Sequence, residues 1–296
     1  MNILITGATG FIGKALCHAL IEQGHNLYVI SRKPDQVNRI LGCTVIASAD
    51  PFCWLDIPMD AVINLAGAPI ADARWSEHRK ELLINSRIGP TRQLISYIEQ
   101  CSHKPEVLIS GSAIGIYGAH GDDDVREDSH CNDDFAHRLC QLWEAEAMAA
   151  ETYGVRVCIL RTGLVLGRDG GMLSRLLTPF RLGLGGHIGS GLQYMPWIHR
   201  QDLLRIITFL IDRKDLSGAF NGTAPVPVRN NTFSRILGAE LKRPVLLPVP
   251  GIVLRLALGE MSQLMLRGAK VIPWRLQENG FEFEYSTLRP ALQEIL

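Results

Sequence analysis

The chain opens on a short apolar run, Ile3 to Ile5, that breaks at Gly7, Gly10 and Gly13 and then resumes with a different period. From there the apolar residues fall at Ile12, Leu16, Ala19 and Leu20, the spacing of one helix face. Further apolar runs occur at Asn26 to Ile30, Val45 to Ala47, Ala61 to Leu65, Val107 to Ser110 and Val155 to Leu160. Helical stretches lie between them, from Ser76 to Gln100 and from Phe135 to Tyr153. In the first of these, Pro90 either kinks the helix or opens its second part. Strands alternating with helices of this length predict an α/β fold, a Rossmann-type doubly wound parallel sheet. Such sheets bind ligands beyond the carboxyl ends of their strands, so the residues just after each strand carry the functional information.

The second half is less regular. Gly183 to Gly191 predicts a loop. Asp202 to Asp212 predicts a helix, with Leu203, Ile206, Ile207 and Leu210 on one side. Prolines at 225, 227, 244, 248 and 250 punctuate the chain beyond that helix. We expect a boundary near Pro248 to Pro250. It divides a Rossmann domain with substrate-lobe insertions (1–247) from a smaller C-terminal lobe of unassigned function (248–296). The apolar stretches Ile252 to Leu258 and Leu264 to Leu266 are expected as helices packed on the main domain, rather than as a partner-binding surface. No internal repeat or low-complexity segment interrupts the chain.

Composition narrows the functional classes. With 296 residues and 47% hydrophobic content, the chain can bury a large core. The formal net charge is zero, which argues against a nucleic-acid surface. Seven cysteines are scattered with no Cys-x-x-Cys pair, so reduced thiols and a cytoplasmic location are expected. The first apolar run lacks the length and basic flank of a signal peptide. Later ones are interrupted by charge, so no membrane span is expected.

The glycine spacing carries the first chemistry. Gly7 permits a tight turn, Gly10 removes a side chain where a pyrophosphate approaches, and Gly13 lets helix and strand pack closely. The helix N-terminus then offers free N–H groups to the phosphates. After the second strand, where NAD enzymes place a carboxylate for the ribose 2′-OH, this chain has Ser31, Arg32 and Lys33. Two cations and a hydroxyl suit a 2′-phosphate, so NADP(H) is the expected cofactor.

Longer segments carry a family resemblance. Thr6-Gly7-Ala8-Thr9-Gly10-Phe11-Ile12-Gly13 resembles the extended short-chain dehydrogenase/reductase pattern, a group that includes sugar-nucleotide epimerases. Asn64-Leu65-Ala66-Gly67-Ala68 resembles its segment along the cofactor after the fourth strand. Residues 110–118, beginning Ser110-Gly111-Ser112, resemble the active-site serine segment. Residues 160–167, with Arg161, Gly163 and Val165, resemble the segment near the nicotinamide. Arg74-Trp75, Arg79-Lys80, Asn85-Ser86-Arg87, Trp143-Glu144, Trp197-Ile198-His199 and Gly280-Phe281 resemble the atypical YfcH-like branch, often labelled epimerase family proteins. The resemblance spans essentially the whole chain. It implies a cofactor site at Gly7, Thr9, Gly10, Phe11, Ile12, Gly13, Leu65, Ala66, Gly67, Ser110, Gly111, Arg161, Gly163 and Val165, beside Ser31, Arg32 and Lys33.

It also implies a catalytic tyrosine, with a lysine one helical turn later to lower its pKa. An unassisted phenol with pKa near 10 is a poor base at neutral pH. Glu144 aligns with the glutamate that usually follows the lysine. That puts Ala136 at the tyrosine position and Cys140 at the lysine position, and neither performs the task. Such a loss forfeits roughly 10²–10⁴ in rate. Ser112 remains as the catalytic candidate by position, and Cys140 is expected to be buried and inert. Trp75 and Arg79, with Arg74 and Lys80, combine an aromatic surface and cations suited to an anionic ligand. Tyr117, Trp197 and His199 complete the candidate substrate residues, although each also reads as a structural residue. No histidine spacing suggests a metal. Two functions stay open: an NADP(H)-dependent oxidoreductase or epimerase-like enzyme acting on a small molecule, and a catalytically silent NADP(H)-binding redox sensor or partner protein.

Overall fold

Ile3 and Ile5 face one side of their strand and Leu4 the other, and all three are fully buried. A strand buried on both faces belongs at the centre of a covered sheet. The computed structural model, which describes residues 1–246 and 248–296, places it there. Seven strands form one parallel sheet: β1 (Asn2–Thr6), β2 (Asn26–Ile30), β3 (Ile46–Ser48), β4 (Ala61–Asn64), β5 (Val107–Ala113), β6 (Arg156–Thr162) and β7 (Gly218–Gly222). Their spatial order is β7-β6-β5-β4-β1-β2-β3. The order reverses between β1 and β4, which opens the crevice where doubly wound sheets take ligands.

Helices cover both faces. Leu16 and Leu20 of α1 (Phe11–Glu22), Val37 and Leu41 of α2 (Pro34–Leu41), and Leu203 and Ile207 of α6 (Arg200–Asp212) pack on Ile3, Ile5, Val29 and Ile63. On the opposite face, α3 (Glu77–Gln100) and α4 (Phe135–Met148) bring Leu94, Ile98 and Ala147 against Leu4, Val62, Leu108 and Val157. α3 runs through Pro90 as one helix. α4 is shorter than its pattern predicts, because the chain tightens to a 3₁₀ turn over Ala149–Tyr153. β7 was not legible as a strand, since glycines bound it at 218 and 222.

The second lobe has its own packing around Leu166, Trp197, Phe233 and Leu237. It is built by α5 (Gly171–Arg181), α7 (Asn230–Glu240), two short strand pairs and the C-terminal helix Leu288–Ile295. The expected domain boundary abuts residue 247, which lies outside the described residues. The tail beyond it is tied into both cores. Leu276 and Phe281 join the main sheet, while Leu288 and Leu292 join the second lobe. α8 (Gly251–Leu258) departs from the expected packing: Ile252, Val253 and Leu256 are 66%, 52% and 75% exposed.

Buried Asp202 makes the junction. Its Oδ1 accepts from Glu284 N and its Oδ2 from Tyr285 N, both at 2.9 Å, while Arg205 Nη1 donates to Oδ1 at 2.9 Å. Asp202→Ala strands two backbone donors and a cation. The expected cost is about 3 kcal/mol, read as a lower urea midpoint.

Candidate cofactor and substrate site

The glycine loop has the geometry of a phosphate cradle. Gly7 has a positive φ of 72°, and a Cβ there would sit 2.5 Å from Leu65 O. A Cβ on Gly13 would sit 2.2 Å from Gly7 O, so α1 packs on β1 only through glycine. Gly10 caps α1 without any side-chain hydrogen bond, which leaves first-turn N–H groups for a ligand. Thr9 and Gly10 are exposed and Phe11 and Ile12 half-buried on this edge. Phe11 also locks the second lobe in place: a Cβ on Gly167, Gly170 or Gly171 would strike its ring at 2.7–3.0 Å. Arg200 covers that ring at 4.9 Å.

At the end of β2, Arg32 and Lys33 are exposed, and Lys33 N donates to Ser31 Oγ at 3.2 Å. The loop, the helix N-terminus and these cations therefore fit a dinucleotide carrying a 2′-phosphate. Beneath the cradle, Thr6 Oγ1 donates to Asn64 Oδ1 at 2.7 Å and accepts from Ala66 N at 3.2 Å. Asn64 Nδ2 donates to Thr91 Oγ1 at 2.8 Å and to Ser110 Oγ at 3.4 Å. These buried bonds fix where Leu65, Ala66 and Gly67 leave the sheet. Ser110 is itself fully buried and belongs to this floor rather than to a ligand surface. Gly111 lies under Trp143, whose ring would be 3.1 Å from a Cβ there.

The ends of β5, β6 and β7 bring Ser112, Arg161 and Asn221 into one row. Ser112 Oγ donates to Glu144 Oε1 at 2.6 Å. Arg161 grips the same carboxylate through Nε and Nη2, both at 2.9 Å. Arg161 Nη1 donates to Tyr117 OH at 2.9 Å and to Glu127 O at 2.8 Å. Tyr117 OH donates in turn to Asn221 Oδ1 at 2.6 Å. Burial alone would weaken the Arg161 charge, but Glu144 and Tyr117 together outweigh it and hold the guanidinium above its usual value. Burial likewise pushes the Tyr117 phenol well above its usual range, against the pull of Arg161. Arg161 is thus committed to binding neighbouring strands and helices together.

Three candidate substrate residues need correction for related reasons. Tyr117 is fully buried inside this network. Trp197 is fully buried in the second-lobe core, with its indole N–H donated to Val226 O at 3.1 Å. His199 is 4% exposed, lies 3.0 Å from Glu294 and stacks on Tyr285 at 3.9 Å, so it serves the C-terminal tail. Gly163 and Val165 shape the close pairing of this segment: Leu164 N donates to Pro196 O at 2.8 Å, and Val165 pairs with Ile198. Trp75 and Arg79 both donate to the segment that follows β4. Trp75 Nε1 donates to Ile70 O at 3.0 Å, Arg79 donates to Pro69 O, and Phe135 packs edge-on against Trp75 at 4.8 Å.

Ala136 and Cys140 are both buried. Burial pushes the Cys140 thiol up to about 12, and the Glu144 charge adds to it. Sequence alone did not mark Glu127, Glu144, Asn221 and Arg87 as site residues: the first three find their partners 17 to 148 positions away, and Arg87 reaches Ala68 across 19. The available signals were the Trp143-Glu144 and Asn85-Ser86-Arg87 segments of the family resemblance. A cavity of about 1030 Å³ lies elsewhere, between Ala15 and Glu22 of α1 and Arg200 and Arg205 of α6. Neither the glycine loop nor Ser112 borders it.

This architecture is that of a dinucleotide-binding, doubly wound α/β protein with a cleft between sheet ends and a second lobe. Residues 3–221 match the model of the NAD dependent epimerase/dehydratase family, and residues 249–295 match a domain of unknown function, DUF1731. The chain is 38% identical over 301 residues to the mouse epimerase family protein SDR39U1, covering 100% of both chains. It is also 38% identical over 301 residues to the epimerase family protein YfhF of Bacillus subtilis, covering 100% of this chain and 98% of that one. A crystal structure of human SDR39U1 with NADPH superposes with a TM-score of 0.89 at 34% identity, covering 100% of this chain and 99% of the other. The chain belongs to the NAD dependent epimerase/dehydratase family, within its SDR39U1- and YfhF-like epimerase family proteins.

Two outcomes test the site. Glu144→Ala leaves Arg161 without its counter-charge and is expected to cost about 3–5 kcal/mol in a urea titration. Alkylation at pH 8 followed by mass spectrometry should label exposed Cys53. It should spare Cys17 and Cys140, pushed to about 12, and Cys158, pushed to about 11, because only thiolates react.

Proposed function

We propose that the protein binds NADP(H) on its glycine loop and works on a small anionic molecule as an oxidoreductase or epimerase-like enzyme. The observation carrying this reading is the pairing of a glycine cradle at α1 with two exposed cations, Arg32 and Lys33, where a carboxylate would select NAD(H). The NADPH held by the human relative supports the same cofactor here. Bound there, the dinucleotide supplies hydride chemistry. The chain's own part is to hold it against Leu65 to Gly67 and to present Ser112. That hydroxyl gives its proton to Glu144, so it meets a ligand as a hydrogen-bond acceptor. The unpaired state of all seven cysteines supports placing the protein in a reducing, cytoplasmic compartment. Among the described residues no helix is long and apolar enough to cross a membrane.

A second reading, a catalytically silent NADP(H)-binding sensor or partner protein, draws on buried Ala136 and Cys140 in place of an acid/base pair. Direct titration separates the parts of the proposal. NADPH should bind more tightly than NADH, and Arg32→Asp should weaken NADPH by roughly tenfold or more while leaving NADH nearly unchanged. An unchanged preference would reject the 2′-phosphate assignment. Turnover of NADPH with any of a panel of aldehydes, quinones and nucleotide sugars supports the enzyme. Tight binding with no turnover across that panel supports the silent protein.

A further inference from the structure

Two arginines on the inner face of α3 carry charge that no carboxylate among the described residues neutralises. Arg79 and Arg87 lie two helical turns apart and both reach the segment that leaves β4. Arg87 Nη2 donates to Ala68 O at 3.1 Å, and Arg79 Nη2 donates to Pro69 O. The other partners of Arg87 are Leu83 O at 3.0 Å and Ser86 Oγ at 3.4 Å. Among the described residues these are neutral oxygens, and no carboxylate joins them. The Nε–H of Arg87 has no partner, and the Nε of Arg79 is buried without one. The guanidinium of Arg87 lies over the Trp143 ring at 5.2 Å and beside Gly67, where a Cβ would be 3.2 Å from its Cζ. Burial lowers its pKa, and the Arg79 charge works in the same direction.

A half-buried cation with neutral partners is costly, and a second cation beside it raises that cost. The arrangement is stable as a receptor for an anion, with donors still free on both groups. The cofactor does not provide that anion. Its pyrophosphate goes to the α1 N-terminus beyond β1 and its 2′-phosphate to Arg32 and Lys33 beyond β2. Arg87 stands on the other side of the crevice, between the ends of β4 and β5, against Gly67 and against Trp143, which itself covers Gly111. Trp75, Phe135 and Leu83 form an apolar wall next to it.

We propose that Arg87, assisted by Arg79, holds the phosphate or carboxylate group of the second ligand, the molecule that enters the cleft beside the dinucleotide. This rests on the dinucleotide reading above. It names the chemical class of that ligand and a binding residue outside the cofactor contacts.

The test uses the full chain, free and loaded with NADPH, titrated with inorganic phosphate or acetate at constant ionic strength. NADPH fluorescence and melting temperature are the readouts. The wild type should show saturable binding of at least one anion. Arg87→Met keeps the stem over Trp143 but removes charge and donors. It should weaken anion binding by roughly tenfold or more while leaving NADPH affinity within about threefold. Arg87→Lys should recover part of the loss, and Arg79→Met should give a smaller loss. Arg79→Met also serves as the reporter should Arg87→Met fold poorly. Preference for phosphate over acetate identifies a phosphorylated ligand, and the reverse a carboxylate. Three results overturn the proposal: anion binding unchanged in both variants, no saturable binding of either anion by the wild type, or loss of NADPH in parallel with the anion. Failure of the wild type to bind NADPH, with anion binding by the free protein intact, would instead reject the cofactor reading and leave the arginine site standing.

Discussion

The Glu144–Arg161 pair organises the floor of the cleft. Both side chains are about nine-tenths buried, at 13% and 11% exposure, so each would be expensive alone. Together they form a side-on fork that joins α4 to β6 and orients Ser112 and Tyr117. Ser112 points its proton at Glu144 because a carboxylate already fixed by arginine is the strongest acceptor within reach. Tyr117 is held by the remaining arm of Arg161 and passes the order on to Asn221 of β7. The half-buried Glu127 accepts from Asn221 N at 3.0 Å and from Arg275 N at 3.4 Å, which carries the network into the tail. Three strand ends and two lobes thus depend on one ion pair.

Close packing fills the turn of α4 that the family resemblance aligns with a tyrosine and a lysine. Ala136 lies where a Cβ on Gly115 would be 3.2 Å away, and Cys140 sits buried next to Ser112 and the Glu144 charge. A lysine at 140 would compete with Arg161 for Glu144. The charge that the helix lacks there is carried on α3 instead, where Arg87 lies close to Cys140 and over Trp143. The cations around the crevice therefore fall into two kinds. Arg32 and Lys33 are solvated at the rim. Arg87 is partly desolvated, and a charge held out of water favours an opposite charge far more strongly than a solvated one does.

The first half of the chain was largely legible from its residues. The strands at Ile3, Leu27, Ile63 and Leu108 announce themselves because a strand buried on both faces must be apolar throughout. The glycine spacing reports backbone approach at Gly7 and Gly13, which no other residue permits. Tyr117, Trp197 and His199 illustrate the opposite case. Each is a residue type that serves a cleft equally well, and only packing against Asn221, Val226 and Glu294 assigns it to the interior. β7, α5 and α7 were missed because glycine-bounded or weakly periodic segments acquire their structure from neighbours rather than from local propensity.

By itself, then, the sequence determined the sheet, the helix on the glycine loop and the cations beyond β2. Each of these rests on interactions within a few residues or on a period that repeats along the chain. The tertiary structure decided that Arg161 binds Glu144 rather than a ligand, that His199 belongs to the tail, and that Arg87 is left without a counter-charge. Those outcomes depend on which groups meet across 17 to 95 positions of chain, and on how much water remains around them when they do. Charge and burial set the value of a polar side chain, and neither exists until the strands have brought their ends together.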